Sequence, residues 1–354
     1  MSTVMFESWR GRYADSPRAV SELLGDLRPQ LTRWWTTTDG LPPTKGVRAM
    51  KRHSPAYFRR LLTTDFLITN DIVSRHVVKG PGVTYVQCWH GTPLKAIGHD
   101  EVDSKYASAA THLKRVDRDV AKWDFLVSPS PACTTILRKA FQYDGVVLET
   151  GYPRNDILAR DDGAIRASVR KRLGIAADVT VILYAPTWRD DAKDAQSRFY
   201  QPDVPDMEFL RRNLPGSVIL VRLHPNVMAP SSSLPGFTID VGGYPDISEL
   251  YLAADVLVSD YSSAIYDFAV TGKPIVLYAP DLEHYRTSLR PMYFVYEDWA
   301  PGPITHDTRS LAEVLTDLDA AAQANAHRYD RFRSTFCPWD DGNATKRLVN
   351  AVFR

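Results

Sequence analysis

Short apolar runs alternate with helix-like stretches along this sequence of 354 residues. Candidate strands in the first half lie at residues 4–6, 66–69, 83–87, 125–127 and 146–149. Those in the second half lie at residues 181–184, 218–222, 256–259 and 275–278. Residues 17–27 and 131–141 are typical of the helices that separate such strands. This alternation favours parallel sheets with helices on both faces, so the sequence predicts an α/β fold with doubly wound sheets.

Length and composition favour two globular domains of ordinary size. Charged residues make up 24% of the chain and hydrophobic residues 44%, which is normal for a globular protein. The net charge of +1 provides no general attraction to nucleic acid, so no nucleic-acid partner is expected. Cys88, Cys133 and Cys337 are widely spaced and indicate neither a disulfide framework nor a paired-cysteine metal site.

A serine-containing turn follows the candidate strand at residues 256–259. Ser262 and Ser263 open a predicted helix, which Gly272 and Pro274 bring to an end. Backbone N–H groups and the positive helix end make such a turn a candidate anion site, to which serine hydroxyls can contribute. The segment therefore predicts a bound phosphate or diphosphate, with an ordinary capped helix as the alternative.

Polar or cationic side chains follow four other candidate strands. These segments are residues 89–93, 151–156, 184–189 and 222–225. In open α/β sheets, ligands bind just beyond the carboxyl ends of the strands. The sequence therefore predicts that these loops line a ligand site.

Six segments of the chain together resemble the CDP-glycerol glycerophosphotransferases of teichoic-acid synthesis. They are Phe6-Glu-Ser-Trp-Arg-Gly-Arg-Tyr-Ala-Asp-Ser-Pro17, Trp89-His-Gly-Thr-Pro-Leu-Lys95, Gly151-Tyr-Pro-Arg-Asn-Asp156, Ala185-Pro-Thr-Trp-Arg189, Arg222-Leu-His-Pro225 and Ser259-Asp-Tyr-Ser-Ser263 with Asp267. They occur in the order that the family has and extend over nearly the whole chain.

Two doubly wound, Rossmann-like domains facing each other across a cleft make a GT-B architecture, which is the predicted fold class. We expect residues 1–160 to form an acceptor-side domain that contains His90, and residues 161–335 to form a domain that binds the CDP donor. The resemblance implies that residues 336–354 form a helix that crosses back to the first domain.

The resemblance implies transfer of a polyol phosphate, most simply glycerol phosphate, from a CDP-linked donor to a hydroxyl of a lipid-linked or polymer acceptor, with release of CMP. Such a reaction requires a group that accepts the proton of the attacking hydroxyl, and histidine suits that role near neutral pH. The family's catalytic histidines correspond to His90 and His224. We assign His90 as the general base and His224 to the reacting phosphate or to activation of the nucleophile, and the reverse assignment stays open.

Arginine is well suited to phosphate because its planar group can donate two parallel hydrogen bonds. The resemblance implies substrate contacts at Arg154 and Arg222, and also at Thr187, Trp188 and Asp267. The complete set of predicted substrate-binding residues is Trp89, Gly91, Thr92, Pro93, Arg154, Thr187, Trp188, Arg222, Leu223, Ser262, Ser263 and Asp267.

Three further candidates have an alternative role. Lys95 and Arg189 are expected either to bind substrate or to pair with surface acids. Asp260 is expected to hold a ribose hydroxyl or to orient a serine or histidine, and its alternative role is to cap the helix. The arginines and helix ends should be enough to neutralise a diphosphate, so we expect no tightly bound metal and no cofactor.

The segment from Gly40 to Thr64 contains six cationic residues and no acid. They are Lys45, Arg48, Lys51, Arg52, Arg59 and Arg60. Because the family's acceptor is lipid-linked, this segment predicts a peripheral contact with anionic lipid, and a solvated helix face is the alternative. No apolar run approaches the roughly 18 residues of a spanning helix, and the first residues do not form a signal peptide. We therefore expect a cytoplasmic protein that can contact the inner face of the cell membrane.

Two other functions are compatible with the same residues. One is a GT-B glycosyltransferase or hexose-phosphate transferase that uses another nucleotide-activated sugar. The other is a non-enzymatic binding protein, which is disfavoured because both histidines and both motif arginines are present. The nucleotide that is released, together with the mass of the product, would separate these possibilities.

Overall fold

The computed structural model describes residues 2–73, 78–101, 109–160, 163–189, 191–194, 198–224, 227 and 234–353. The chain divides into two compact units. The first consists of Met1–Thr92, Ile97–Arg160 and Pro338–Arg354, and the second of Pro93–Ala96 and Asp161–Cys337. The short segment Pro93–Ala96 is anchored within the second unit, where the Ala96 N–H donates to the Pro291 carbonyl at 2.9 Å.

The strands of the described residues fall into two sheets. Those of the first unit are β1 (Thr3–Glu7), β2 (Thr32–Thr37), β3 (Arg48–Lys51), β4 (Phe66–Thr69), β5 (Thr84–Gln87), β6 (Phe125–Ser128) and β7 (Val146–Glu149). Those of the second are β8 (Thr180–Tyr184), β9 (Ser217–Val221), β10 (Thr238–Asp240), β11 (Val256–Ser259), β12 (Ile275–Tyr278) and β13 (Ile304–Thr305).

The helices lie between these strands and after them. In chain order they are α1 (Asp15–Leu27), α2 (Pro55–Thr63), α3 (Ala109–Val120), α4 (Pro131–Phe141), α5 (Asp156–Ala159), α6 (Ala164–Arg172), α7 (Met207–Asn213), α8 (Ile247–Ala253), α9 (Ala264–Ala269), α10 (Leu282–His284), α11 (Tyr296–Trp299), α12 (Thr308–Thr316), α13 (Leu318–Phe336) and α14 (Ala344–Val352). In the described part of the chain, no helix is both long enough and apolar enough to cross a membrane.

Each unit contains one parallel sheet whose strand order reverses at its first strand. The first sheet has the order β3-β2-β1-β4-β5-β6-β7, and the second has the order β10-β9-β8-β11-β12-β13. The strands that flank β1 and β8 are all parallel to them. This doubly wound order was predicted from the alternation of strands and helices, and it places a topological switch point beside β1 and beside β8.

Local sequence signals explain where these elements begin and how they pack. In α4 the Ser130 hydroxyl accepts the Cys133 N–H at 3.2 Å, and proline occupies the first turn, where a missing N–H costs least. The buried side chains of Cys133, Leu137 and Ala140 then lie on one face of the helix. Helix α2 begins in the same way, because the Ser54 side chain accepts the Tyr57 N–H and proline occupies the first turn.

Four strands were not predicted from the sequence: β2, β3, β10 and β13. β3 is an edge strand whose sequence, Arg-Ala-Met-Lys, has cations at both ends and only Met50 fully buried. β2 carries two tryptophans between polar residues, and Trp35 is buried opposite Phe6 of β1. Short or polar strands of this kind become recognisable only when a neighbouring strand pairs with them.

The last helix packs within the first unit. Leu348 and Val349 of α14 join the core that contains Val20 and Leu24 of α1. Asp156 anchors the beginning of α14, because one carboxylate oxygen accepts the Ala344 N–H at 2.8 Å and the other the Thr345 N–H at 2.9 Å. Asp156, the last residue of the predicted ligand-site segment 151–156, therefore holds the C-terminal helix.

Replacing Asp156 by alanine should destabilise the first unit. Two buried N–H groups of α14 would lose their acceptors, so we expect the free energy of unfolding to fall by about 2 kcal/mol. Urea unfolding measures the change, and Asp144→Ala, at an exposed position of the same unit, is the matched control. A loss no larger than that of the control would show that this cap does not hold the helix.

Candidate active site

His90 lies in the loop that follows β5, at the carboxyl edge of the first sheet. Its Nδ1 is 2.7 Å from the backbone carbonyl of Asn70, the first residue after β4. Because a carbonyl can only accept a hydrogen bond, Nδ1 carries the proton of the neutral ring. The lone pair is then on Nε2, which is the arrangement that a general base requires.

Two tryptophans fix the orientation of this imidazole. The ring of Trp89 stacks on His90 with centroids 4.2 Å apart, and the ring of Trp9 lies 5.0 Å away at a tilted angle. The Trp89 N–H donates to the Gln87 side-chain carbonyl at 2.9 Å, which holds the backbone in its left-handed conformation at φ 53°. The loop thus keeps a half-buried histidine in one orientation.

Gly91 and Thr92 continue this loop into the interior of the first unit. Both residues are buried, and the Tyr152 hydroxyl donates to the Gly91 carbonyl at 3.2 Å. Arg154 lies over the ring of Tyr152 at 4.4 Å and donates to the carboxylate of Asp15 at 3.3 Å. Since only 6% of Arg154 is exposed, its guanidinium contributes to packing at the start of α1, and its predicted contact with substrate stays a prediction.

In the second unit, His224 is exposed and stacks on Trp188 with centroids 5.1 Å apart. Arg222 lies two residues before His224, after β9, and donates to the carbonyls of Val241 at 2.8 Å and Tyr244 at 3.0 Å. It therefore holds the turn that follows β10. Leu223 packs against the core of this unit, which places it beneath the loop.

The serine turn after β11 opens a short buried helix. The Ser262 hydroxyl accepts the Ala264 N–H at 3.2 Å, while Ser263 occupies the cap position without a capping hydrogen bond from its side chain. Helix α9 has six residues, all of them buried, and Asp267 is among them. Gly272 adopts φ 72° beyond its end, as a terminating glycine does.

Arg189 forms the most strongly buried ionic cluster of this site. It donates to Asp260 at 2.9 Å and to Asp281 at 2.6 Å, and its guanidinium lies over the rings of Tyr261 and Tyr285. Burial by itself would lower the pKa of Arg189, but Asp260 and Asp281 outweigh it and raise that pKa. For Asp281, burial by itself would raise the pKa, but the hydrogen bond and charge of Arg189 outweigh burial and lower that pKa.

This cluster joins two of the predicted motifs. Asp260 also accepts the backbone N–H of Thr187 at 2.7 Å, so the loop after β8 is attached to the loop after β11 at the switch point of the second sheet. Arg189 pairs with the buried Asp260 and the partly buried Asp281, where surface acids were expected as its alternative partners, and its contact with substrate stays a prediction. Lys95 forms an antiparallel bridge with Met292.

Within the described residues, no group of three or more histidine, cysteine, aspartate or glutamate side chains is arranged to hold a metal ion. The carboxylates of Asp260 and Asp281 both form ion pairs with Arg189. Carboxylates whose oxygens are committed to a guanidinium are poor ligands for a cation.

Sequence reasoning did not identify two residues that touch His90, namely Asn70 and Trp9. Asn70 directly follows the predicted strand at residues 66–69, and Trp9 belongs to the matched segment at residues 6–17. The signal that could have identified them was their position just after β4 and β1, where ligand-site residues of parallel sheets lie. The structure brings Trp9, Asn70 and His90 together in the first unit, and Thr187, Trp188, Asp260 and His224 near the carboxyl edge of the second sheet.

Two doubly wound sheets with histidine, arginine and serine loops at their carboxyl edges define a protein of the GT-B class, as predicted. The sequence profile of the CDP-glycerol:poly(glycerophosphate) glycerophosphotransferases matches residues 1–354. The chain belongs to this family, and the family predicted from the six segments is confirmed.

Three relatives illustrate this membership. The chain is 36% identical to the teichoic acid glycerol-phosphate transferase of Staphylococcus aureus over 99% of its own length and 92% of that protein. It is 33% identical to the teichoic acid poly(glycerol phosphate) polymerase of Bacillus subtilis over 99% of its length, but it spans only 48% of that polymerase. The solved structure of the wall teichoic acid polymerase TagF matches with a TM-score of 0.92 at 32% identity, covering 99% of this chain and 88% of TagF.

Replacing Arg189 by alanine should destabilise the second unit strongly. Asp260 would remain buried, and Asp281 partly buried, without their counter-ion, so we expect the free energy of unfolding to fall by about 3–5 kcal/mol. Urea or thermal unfolding measures this loss.

The matched control is Arg211→Ala, which removes an exposed arginine that pairs with Glu208 on α7. That change should cost less than about 1 kcal/mol. An Arg189 variant as stable as the control would contradict a structural role and would favour the predicted contact with substrate.

Proposed function

We propose that this protein transfers glycerol phosphate from CDP-glycerol to a hydroxyl of a teichoic-acid-like acceptor and releases CMP. The observation that carries the proposal is the hydrogen bond from His90 Nδ1 to the Asn70 carbonyl, which leaves Nε2 as a base beside the switch point of the first sheet. Membership of the family, and relatives named as glycerol-phosphate transferases and polymerases, support this choice of donor and acceptor.

In the proposed reaction, His90 Nε2 takes the proton of the acceptor hydroxyl. The acceptor oxygen then forms a bond to the phosphorus that carries glycerol, and the bond from that phosphorus to the bridging oxygen breaks. CMP leaves with the electron pair of the broken bond. Orientation of the reactants and stabilisation of the phosphoryl oxygens provide most of the rate enhancement in such transfers.

We assign binding of the CDP donor to the second unit. Ser262, Ser263 and Arg222 provide hydroxyl and cationic groups near the carboxyl edge of its sheet, as a diphosphate requires. The Thr187 hydroxyl is buried and has no hydrogen-bond partner among the residues that the structure describes, which suits a contact with the ligand. Asp267 is assigned to a hydroxyl of the donor.

The remaining proposed roles follow from position. His224, stacked on Trp188, is assigned to the reacting phosphate, although exchange of roles with His90 stays open. We assign Trp89, Gly91, Thr92 and Pro93 to the acceptor side, and further substrate contacts are Arg154 and Leu223. Cationic and backbone donors neutralise the diphosphate without a tightly bound metal.

Replacing His90 by asparagine should reduce CMP release by roughly 100-fold or more, because a positioned general base contributes about that factor. His224→Asn should also reduce it, and His327→Asn, at an exposed position of α13, is the matched control. Turnover is measured with CDP-glycerol, CDP-ribitol and UDP-sugars, with identification of the released nucleotide and the product mass. Full activity in both site variants would refute the assignment, and release of UDP would indicate a glycosyltransferase.

We also propose that the basic segment at residues 40–64 makes a peripheral contact with anionic lipid at the inner face of the cell membrane. Lys45, Arg48, Lys51 and Arg59 are exposed. Leu41 and Leu62, which are 66% and 50% exposed, provide apolar surface in the same segment. Cations together with exposed apolar groups are what such binding requires.

The two cations of the segment that are only partly exposed make other contacts. Arg52 forms an ion pair with Glu7 at 2.8 Å, and Arg60 lies over the ring of Trp34 at 4.5 Å. They are therefore expected to contribute less to binding lipid than the four exposed residues.

Neutralising Lys45 and Lys51 by glutamine should weaken binding to phosphatidylglycerol vesicles roughly tenfold or more, since each cation near an anionic surface contributes about 1 kcal/mol. Co-sedimentation measures the affinity, with phosphatidylcholine vesicles for comparison. The control replaces Lys114 and Arg118, which are exposed on α3, in the same way. Equal affinities of the two double variants would argue for a solvated surface without a lipid partner.

A further inference from the structure

A second group of chemically active residues lies in the first unit, in a pocket of about 280 Å³. This volume is close to the lower limit of sites that hold small molecules, about 300 Å³. Besides Ile72, the pocket is lined by Arg10, Arg52, His53, Asp71, His112 and Arg115. Arg52 and His53 belong to the basic segment at residues 40–64, and Arg10 belongs to the matched segment at residues 6–17.

The topology of the sheet explains why these residues meet. Arg10 follows β1, Arg52 and His53 follow β3, and Asp71 follows β4, so all of them come from carboxyl ends of parallel strands. The order of the strands reverses beside β1, which is where doubly wound sheets bind their ligands. Helix α3 covers the pocket with His112 and Arg115, which are three residues apart and therefore lie on one face.

The charge of the pocket favours an anion. Three arginines and two histidines are opposed by one lining carboxylate, that of Asp71, one oxygen of which accepts the Ile72 N–H at 2.8 Å. Arg52 is held in place by Glu7 through its Nε. The Nε of Arg115 is buried and has no hydrogen-bond partner within the described part of the chain. A buried charged donor without an acceptor is costly, and an anionic ligand would remove that cost.

Two residues that line the pocket have a strained backbone conformation. Arg10 and His53 adopt left-handed conformations with φ of 60° and 61°, and Trp9 beside Arg10 has φ 44°. The left-handed region is unfavourable for a residue that has a side chain, and strain of this kind is concentrated at functional sites. The strain is therefore consistent with a ligand site.

The pocket directly adjoins the residues that hold His90. The ring of Trp9 lies 5.0 Å from the His90 ring, measured between centroids. The backbone N–H of Trp9 donates to the Asn70 side-chain carbonyl at 3.2 Å. Arg10 and Asp71 are the next residues after Trp9 and Asn70, respectively. The pocket and the contacts that hold His90 are therefore formed by residues that are adjacent in the chain.

We propose that this pocket binds a phosphodiester group of the acceptor, one repeating unit away from the hydroxyl that His90 deprotonates. The proposal rests on the proposed function, because it takes the acceptor to be a glycerol-phosphate chain. The forked guanidinium groups of Arg10 and Arg115 match a phosphodiester, and the second oxygen of Asp71 matches a glycerol hydroxyl. The pocket would thereby select acceptors that already contain a phosphate.

The test measures binding and turnover with a synthetic glycerol-phosphate trimer. Calorimetry should show that Arg115→Gln and Arg10→Gln each bind the trimer roughly tenfold or more weakly than the unchanged protein, since each removes a charge-assisted pair. In turnover, the same changes should raise KM for the trimer more than they lower kcat. Free glycerol, which lacks a phosphate, should not compete with the trimer.

Arg118→Gln is the matched control, because Arg118 is exposed on the same helix and does not line the pocket. Unfolding midpoints close to that of the control establish that the pocket variants are folded. Undiminished affinity of Arg115→Gln and Arg10→Gln for the trimer would overturn the proposal.

Two further outcomes separate this proposal from others. Weaker binding of the pocket variants to phosphatidylglycerol vesicles, with unchanged binding of the trimer, would overturn the acceptor assignment and indicate a lipid site. Trimer binding that depends on Arg10 and Arg115, in a protein that releases no CMP from CDP-glycerol, would support the pocket while refuting the proposed function.

Discussion

Parallel pairing on both sides of β1 and β8 is the constraint on which each unit depends. Because every strand runs in the same direction, all loops that follow a strand meet at one edge of the sheet. In the first unit that edge collects Trp9, Asn70 and His90, and in the second it collects Thr187 and Asp260. Residues far apart in the sequence become neighbours there because the strands that precede them are neighbours.

Much of the charge in the motif segments stabilises the fold. Asp156 caps α14, Arg154 pairs with Asp15, and Arg189 joins Asp260 to Asp281. Each of these groups is at least mostly buried, so breaking one pair would leave its partner without compensation. The two histidines of the predicted site differ from them: His90 is half-buried and His224 is exposed. Each stacks on a tryptophan ring, and His90 also donates to the Asn70 carbonyl.

Positive charge in the first unit lies on two surfaces next to β3. The exposed cations of residues 40–64 lie along and beside this edge strand, while Arg52, directly after it, turns into the pocket beside Glu7. A net charge of +1 for the whole chain conceals this local excess. If both proposals hold, one unit contacts an anionic surface and an anionic acceptor through neighbouring groups, which would favour acceptors presented at a membrane.

The sequence by itself determined the alternation of strands and helices, the family, and the two histidines, because apolar runs, capping residues and motif order are local signals. It could not determine that Arg154, Asp156, Arg189 and Asp260 are buried partners, since a charged residue has the same letter whether it meets a ligand or another side chain. Nor could it reveal the Asn70 carbonyl behind His90 or the pocket around Arg115. Those depend on which strands become neighbours, and only the tertiary structure decides that order.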